Sequence, residues 1–170
     1  SMRRTLRLFA VLSLLVSGSV TSVSAADFEH QLDVELQPGS GEVRIKDQLQ
    51  VVGIEAFRFS LAAWLTHIDV KVDGKDYELV QGDNGSVITF PDSGAHLVEF
   101  DLRGRLPPRD AQNTRNLTSS SSEDGAYLPG YDGWIPHPAD ALMRYQLRIT
   151  VPAAQRVVVT GKLLDEQFGD

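Results

Sequence analysis

The chain has 170 residues, no cysteine, and 16 lysines and arginines against 23 aspartates and glutamates, which gives a net charge of −7. This acidic balance argues against nucleic-acid binding, which draws most of its affinity from basic groups on phosphates, and against docking to anionic lipid. The absence of cysteine excludes disulfides, cysteine catalysis and thiolate zinc sites.

The start of the chain has the pattern of a secretory signal peptide. Three arginines are followed by an apolar run, Leu8–Val16, and then by small residues with a V-S-A cleavage pattern that ends at Ala25. The apolar run is too short for a comfortable membrane span. We therefore expect residues 1–26 to be a cleaved signal peptide, and a bacterial protein that is periplasmic or secreted without a stable membrane span. A retained anchor helix is the alternative.

The mature part, residues 27–170, is long enough for one domain with a proper hydrophobic core. Removal of the three arginines leaves 13 basic against 23 acidic side chains, a net charge of −10. An exported domain without disulfides fits a bacterial periplasm better than a small secreted scaffold. We expect a single domain.

After the signal peptide, apolar and polar residues alternate almost throughout, which is the period of a β-strand. The predicted strands are Phe28–Leu36, Val43–Val51, Phe57–Leu61, Ile68–Val72, Tyr77–Val80, Val87–Phe90, Val98–Leu102, Met143–Val151 and Val157–Leu164. Asp47 alone interrupts the second strand, and Asp73-Gly74 is a hairpin signal. Phe59–Ile68 is the only helical candidate, and it is short. About eight or more short strands predict an all-β fold, an antiparallel β-sandwich.

One polar segment breaks this pattern. Gly104–Asp124 reads "GRLPPRDAQNTRNLTSSSSED". We expect a long polar loop at about residues 104–125 that is exposed or partly disordered. Glycosylation acceptor patterns at Asn84 and Asn116 are better explained by chance in a protein with a bacterial export signal.

The sequence carries few residues that suggest catalysis. No histidine has a second His or a Glu at metal-ligand spacing, so H-E-x-x-H is absent. His30 lies on the apolar side of its strand and is expected in or near the core, whereas His67 and His96 are expected in solvent. His137, between two prolines and near two aspartates, suggests a divalent cation site, although a surface histidine is the simpler explanation. The serine run Ser119–Ser122 has neither a G-x-S-x-G elbow nor an oriented histidine.

Three aromatic residues, Tyr127, Tyr131 and Trp134, lie in the proline-rich segment after the polar loop. Exposed rings on a β-sandwich would stack on sugar faces, as in carbohydrate-binding modules. Buried rings would instead close one end of the sandwich, with Pro129 and Pro136 fixing the corners. The structural interpretation is favoured because large rings dominate core energetics.

The order of these features resembles a known family. The chain opens with the strand pair "FEHQLDVELQPGSGEVRIKDQLQV" (Phe28–Val51). An aromatic-proline pair, Trp134 and Pro136, later precedes "RITVPAAQRVVVTGKL" (Arg148–Leu163). This arrangement resembles the N-terminal β-sandwich domain of the aminopeptidase N family of zinc metallopeptidases, particularly divergent bacterial members. The resemblance covers essentially the whole mature chain.

The resemblance implies a non-catalytic domain. In that family the zinc-binding helix and its glutamates belong to a thermolysin-like domain that follows this one, so no catalytic residue, zinc ligand or other cofactor is assigned to residues 27–170. A longer parent protein would be the metallopeptidase. The partner is then a downstream or separate catalytic domain, or another protein, and this domain would act as a scaffold that walls the substrate cleft. A stand-alone exported binding module for carbohydrate or protein is the alternative, and an adhesin-like or chaperone-like structural domain is a third.

The family's β-sandwich often lends a glutamine that helps to hold the substrate's amino group. The corresponding region here, "SSSSEDGAYL", has no glutamine, so Glu123 or Asp124 would have to offer negative charge to an amine. The candidate substrate or partner contacts are Glu123, Asp124, Tyr127, Tyr131, Trp134 and His137.

Overall fold

A computed structural model describes residues 26–110, 112, 118–162 and 164–167. These residues are nearly all β, with no α-helix among them, which confirms the predicted class. The strands are β1 (Asp27–Gln37), β2 (Glu42–Val52), β3 (Ala56–Phe59), β4 (Leu65–Val72), β5 (Lys75–Asp76), β6 (Gln81–Gly82), β7 (Gly85–Thr89), β8 (Ala95–Arg105), β9 (Ser120–Ser122), β10 (Gly125–Tyr127) and β11 (Arg144–Thr150). A 3-10 turn covers Gly130–Asp132. In the part of the chain so described, no helix has the length and hydropathy to cross a membrane. Residues 1–25 of the predicted signal peptide, and the acceptor Asn116, lie outside the described residues.

The strands form one large sheet, one small sheet and a separate hairpin. The large sheet has the order β11-β1-β2-β8-β4-β5, the small one has the order β3-β7-β6, and β9 pairs with β10. Among the described strands, all pairs are antiparallel except β1 with β11, which are parallel. The prediction of a wholly antiparallel fold is therefore wrong at this edge, and the large sheet is mixed.

Three strands of eleven residues each, β1, β2 and β8, make the centre of the large sheet. Alternate side chains point to one face and are buried there, as the sequence period requires. The apolar members of this face are Phe28, Leu32, Val34, Leu36, Val43, Ile45, Leu49, Val51, Val98, Phe100 and Leu102. The turn between β1 and β2 is closed by a hydrogen bond from the Gly41 amide to the Gln37 carbonyl, 2.8 Å long, with Gly41 in the left-handed region.

The small sheet packs against this buried face through aromatic side chains. Phe57 contacts Phe28 edge-on with ring centroids 5.7 Å apart, and Phe59 contacts Phe100 at the same distance. Ile88 of β7 is completely buried beside them. Each such side chain contributes about 1.5–3 kcal/mol of burial free energy, so the two sheets share one core.

The hairpin signal at Asp73-Gly74 is confirmed, because both residues have positive φ in the turn between β4 and β5. Two predicted strands are wrong. The segment Tyr77–Val80 is not a strand, although β5 and β6 flank it. The described part of Val157–Leu164 forms no strand either, and the side chain of Val158 is 96% exposed. In the first segment only Tyr77 has a described backbone hydrogen bond to a strand, from its amide to the Val70 carbonyl of β4 at 2.9 Å, so the pairing of β4 with β5 does not continue beyond it.

The described part of the polar segment contains a short strand. The rest of the segment, residues 113–117 and residue 111, lies outside the described residues. Within the described part, Ser120–Ser122 forms β9, and Ser119 and Ser121 are buried. The Ser121 amide donates to the Pro107 carbonyl at 2.9 Å. Backbone pairing therefore orders a stretch whose side chains gave no strand pattern.

The close approach of β4 and β8 at Gly104 gives a first prediction. A Cβ at Gly104 would lie 2.1 Å from the carbonyl oxygen of Trp64 and 2.9 Å from the Cα of Leu65. We expect G104A to lower the free energy of unfolding by about 2–3 kcal/mol, because the backbones must move apart. Urea denaturation measures this. In the control G39A, in the turn between β1 and β2, the new Cβ would have no described atom beyond its chain neighbours within 4 Å, so stability should change by less than about 0.5 kcal/mol. Equal effects of the two variants would contradict the packing argument.

Candidate functional site

A large cavity lies between the edge of the main sheet and the segments that cross it. Its volume is about 1130 Å³. The sheet side is formed by apolar residues of β1 and β11, namely Leu32, Val34, Leu36, Leu147 and Ile149. The opposite side is formed by β9 and β10, the 3-10 turn and residues 155–160. The cavity is therefore apolar on its sheet side and mixed on its outer side.

Four of the six candidate contact residues line this cavity: Asp124, Tyr127, Tyr131 and Trp134. Glu123 and His137 do not. Glu123 and Asp124 form the exposed turn between β9 and β10, because two residues suffice to connect antiparallel strands there. The structure thus brings together most of the predicted set but sends His137 to a different environment.

The three aromatic residues divide between the two interpretations that the sequence left open. Trp134 is 7% exposed, and its Nε1 donates to the Pro129 carbonyl at 3.0 Å, so it closes the core at this corner. Tyr127 and Tyr131 are 44% and 75% exposed. Desolvation and then the neighbouring Tyr127, to which it is hydrogen bonded, raise the pKa of Tyr131. The two tyrosines are thus exposed at the cavity, whereas the tryptophan is buried.

His137 belongs to a buried chain of hydrogen bonds. Asp47 Oδ2 lies 2.7 Å from His30 Nδ1, and His30 Nε2 lies 3.0 Å from His137 Nδ1. His137 Nε2 donates to the Ala141 carbonyl at 3.0 Å. His30 and Asp47 are essentially without solvent exposure, as expected for a core histidine at position 30, while His137 is half-buried rather than free at the surface.

The register of β1 and β2 explains how Asp47 and His30 meet. His30 is opposite Leu49, and Asp47 is opposite Leu32, so the two polar side chains are diagonal neighbours on the same face. In the sequence each looked like an isolated exception to the apolar pattern. The signal that could have linked them is that both exceptions fall on the buried face of adjacent strands, where each needs a partner.

Burial controls the protonation of this chain. Desolvation raises the pKa of Asp47, against the hydrogen bond from His30, and desolvation also lowers the pKa of His137. The second carboxyl oxygen of Asp47, Oδ1, has no hydrogen-bond partner among the described residues. The site therefore favours neutral side chains, which suits a positioning role better than binding of a cation. Both ring nitrogens of His137 are already hydrogen bonded to the protein, so the suggested cation site is not formed there.

His96 is also not in solvent, contrary to the expectation from sequence. Its Nδ1 lies 2.8 Å from Asp73 Oδ2, and its Nε2 faces the Asp92 carbonyl at 3.0 Å. The ring stacks on Phe90 with centroids 4.5 Å apart. The bond to Asp73 raises the pKa of His96, and the same bond lowers the pKa of Asp73. An ion pair therefore ties the β4–β5 turn to the start of β8.

The described residues form no metal centre. Among those residues, no group of three or more histidine, cysteine, aspartate or glutamate side chains is arranged to hold an ion. A catalytic zinc would need three protein ligands and an open position. The described residues offer no such set.

The His96–Asp73 pair predicts a pH-dependent stability. Because the folded pKa of His96 is raised, its contribution is complete below about pH 6.5 and is lost as pH rises through that raised pKa. Because the pKa of Asp73 is lowered, the pair survives down to about pH 4 and is lost on further acidification. Urea denaturation should therefore show that H96Q destabilises more at about pH 5.5 than at about pH 8.5. A deficit that grows with pH would contradict this. The control H67Q removes an exposed histidine bonded to Asp69 and should leave the profile nearly unchanged.

Comparison with known proteins finds similarity in structure alone. Neither a protein-family model nor a curated protein matches the sequence. The fold is similar to that of an M1 zinc metallopeptidase from Deinococcus radiodurans, with a TM-score of 0.63 and 17% identity, over 84% of this chain and 36% of that chain. A mutant of that enzyme bound to a Tyr-Ser-Ala substrate gives a TM-score of 0.60 and 18% identity, over 85% of this chain and 37% of that chain. The chain thus spans little more than a third of the length of these enzymes, and what it shares with them is the fold of that part.

Proposed function

We propose that this chain is the N-terminal β domain of an exported protein similar to M1 zinc metallopeptidases, and that its role is non-catalytic. It would pack against a catalytic domain, downstream in the same protein or on a separate chain, and would form one wall of the substrate cleft. The support is that about 85% of this chain has the fold of a part, about 37%, of such an enzyme. A zinc ion would be bound by the catalytic domain, since the described residues contain no ligand cluster.

The observation that carries this proposal is the apolar surface around β11. Within the described residues β11 pairs on one side only, with β1. Val158 and Tyr131, at the cavity, are 96% and 75% exposed, and Leu142, just before β11, is 94% exposed. Exposed apolar side chains beside an open strand edge are typical of an interaction surface. A catalytic domain is the occupant that the fold similarity suggests.

The acidic turn at Glu123 and Asp124 fits the same role. Both carboxylates are exposed, and Asp124 stands at the cavity. Negative charge at the rim of a peptidase cleft would attract the amino group of a peptide. We propose these two residues as the contact for that amine in place of the missing glutamine. Export to the periplasm or the medium belongs to the same proposal and is supported by the signal-peptide pattern of residues 1–26.

The interface can be tested by hydrogen exchange in the longer natural protein or in the complex with the separate catalytic chain. We expect the amides of β11 and of residues 155–160 to exchange at least about tenfold more slowly there than in residues 26–170 alone, because a covered strand edge opens less often. Amides of β2 are the internal control, since β2 is already enclosed by β1 and β8. Unchanged exchange at β11 would overturn the proposed interface.

The non-catalytic role has its own control. The purified 170-residue chain, supplied with zinc, should not hydrolyse aminoacyl anilides above the rate of the blank. Hydrolysis that chelators abolish would contradict the proposal.

A carbohydrate-binding module remains a second candidate because Tyr127 and Tyr131 are exposed at the cavity. Trp134 lies in the same cavity wall, so its fluorescence should report binding of oligosaccharides. If the module binds sugar, Y131A should weaken binding on the order of tenfold through lost stacking, while L142A, outside the cavity lining, should not. No fluorescence change with any polysaccharide tested would remove this candidate.

A further inference from the structure

The direction of every hydrogen bond in the buried chain follows from its last member. A carbonyl oxygen only accepts, so His137 Nε2 must donate to Ala141. A neutral His137 then has a lone pair on Nδ1, which accepts the proton of His30 Nε2. His30 Nδ1 and Asp47 Oδ2, 2.7 Å apart, are left with one proton between them. The chain is therefore neutral as a whole, whichever of the two carries that proton.

Loss or gain of one proton breaks the bond between the two histidines. If the shared proton leaves while the Ala141 carbonyl keeps the proton of His137 on Nε2, the remaining proton of His30 moves to Nδ1, where it faces the Asp47 carboxylate. The lone pairs of His30 Nε2 and His137 Nδ1 then oppose each other. If His137 instead gains a proton, an N–H on its Nδ1 opposes the N–H of His30 Nε2. In both cases the hydrogen bond between His30 Nε2 and His137 Nδ1 is replaced by a repulsive contact.

This bond is one of the contacts that hold a particular segment on the sheet, beside the buried side chains of Trp134, Ile135 and Pro136. We call residues 129–141 the corner. His30 and Asp47 lie on the rigid central strands β1 and β2, whereas His137 lies on the corner. The corner also carries Tyr131 and Trp134, which line the cavity. Among the described residues, the ring of His137 contacts two rings of β1. These are His30, with centroids 5.2 Å apart, and Phe28, with centroids 5.3 Å apart.

The surroundings of the chain contain few other charges. The charged or titratable groups that act on His137 are His30, Asp47 and Asp140 of the corner. Those that act on Asp47 are His30 and His137. The neighbouring strand β8 places Phe100 opposite Asp47, and β11 places Tyr145 beside His30 in the register. Protonation of the chain is therefore governed mainly by its own members.

We propose that Asp47, His30 and His137 form a pH latch that holds the corner on the sheet while His137 is neutral and one proton is shared by Asp47 and His30. Acid releases the corner by protonating His137, and base releases it by removing the shared proton. Release loosens the wall of the cavity that contains Tyr131 and Trp134. Since desolvation lowers the pKa of His137, the acid release lies below the ordinary histidine value of about pH 6.5.

Hydrogen exchange of the corner at different pH values tests the latch in the full chain. The reporter amides are Ala141, which donates to Pro138, and Ala62, which donates to Gly133. After correction for the intrinsic pH dependence of exchange, their protection should pass through a maximum and fall by about tenfold or more on each side. These local amides separate the latch from the His96–Asp73 pair, which lies on other strands. Protection without a maximum would overturn the proposal.

Two substitutions should each remove one side of this profile. In D47N the amide nitrogen can donate to His30 Nδ1, which preserves the bond directions without a removable proton, so the loss in base should disappear and the loss in acid should remain. In H137N the amide oxygen can accept from His30 Nε2 but cannot be protonated, so the loss in acid should disappear. The control H67Q, at an exposed histidine, should keep both sides. Profiles of D47N and H137N that match the wild type would overturn the latch.

Nitrogen-15 NMR of the histidine rings tests the proposal in the wild-type protein, so the test does not depend on whether a variant folds. In the pH range in which the corner is protected, His137 should be the Nε2–H tautomer, with an unprotonated Nδ1. An Nδ1–H tautomer of His137, or a protonated ring throughout that range, would overturn the proposed directions.

Discussion

A β-strand sends every second side chain to the same face, and in β2 this rule carries the carboxyl group of Asp47 into the core between Ile45 and Leu49. An isolated carboxylate there would cost several kcal/mol in lost hydration, so it needs a partner from the same buried layer. His30 is that partner, and it in turn needs an acceptor for its second nitrogen, which His137 supplies. This buried acid is thus linked through His30 to the corner, which is also held by the buried side chains of Trp134, Ile135 and Pro136.

The buried histidines are hydrogen bonded, whereas three buried side-chain atoms, Asp47 Oδ1, Trp64 Nε1 and Ser119 Oγ, have no partner among the described residues. Apolar side chains remain exposed at one edge of the large sheet. The central strands are enclosed on both sides, while β11 and the segment after it carry valines, leucines and tyrosines that remain in solvent. Residues of this kind are normally covered in a finished assembly. The contrast explains why the function is best sought at the open edge of the sheet rather than among the histidines.

Most of the sheet could be predicted from the alternation of apolar and polar residues, because β1, β2 and β8 bury one face and expose the other. The failures have physical causes. Val157–Leu164 has the composition of a strand, but a strand also needs a neighbour, which one sequence segment does not reveal. The serine run has no apolar face, and it became β9 through backbone bonds that no side-chain pattern reports. His30, Asp47 and His137 were each visible, but their convergence depends on the strand register and on a contact across 107 positions.

The parallel pairing of β1 and β11 has a consequence for the order in which the chain folds. Asp27 and Arg144, which form an ion pair across this edge, are 117 positions apart, whereas β1 and β2 are joined by a short turn. Closing so long a loop costs conformational entropy, and the local pairs that form early do not offset this cost. We expect the β1–β2 hairpin to form early and the docking of β11 to come among the last events. A nascent chain would thus keep the first strand half-paired until nearly 150 residues have been made.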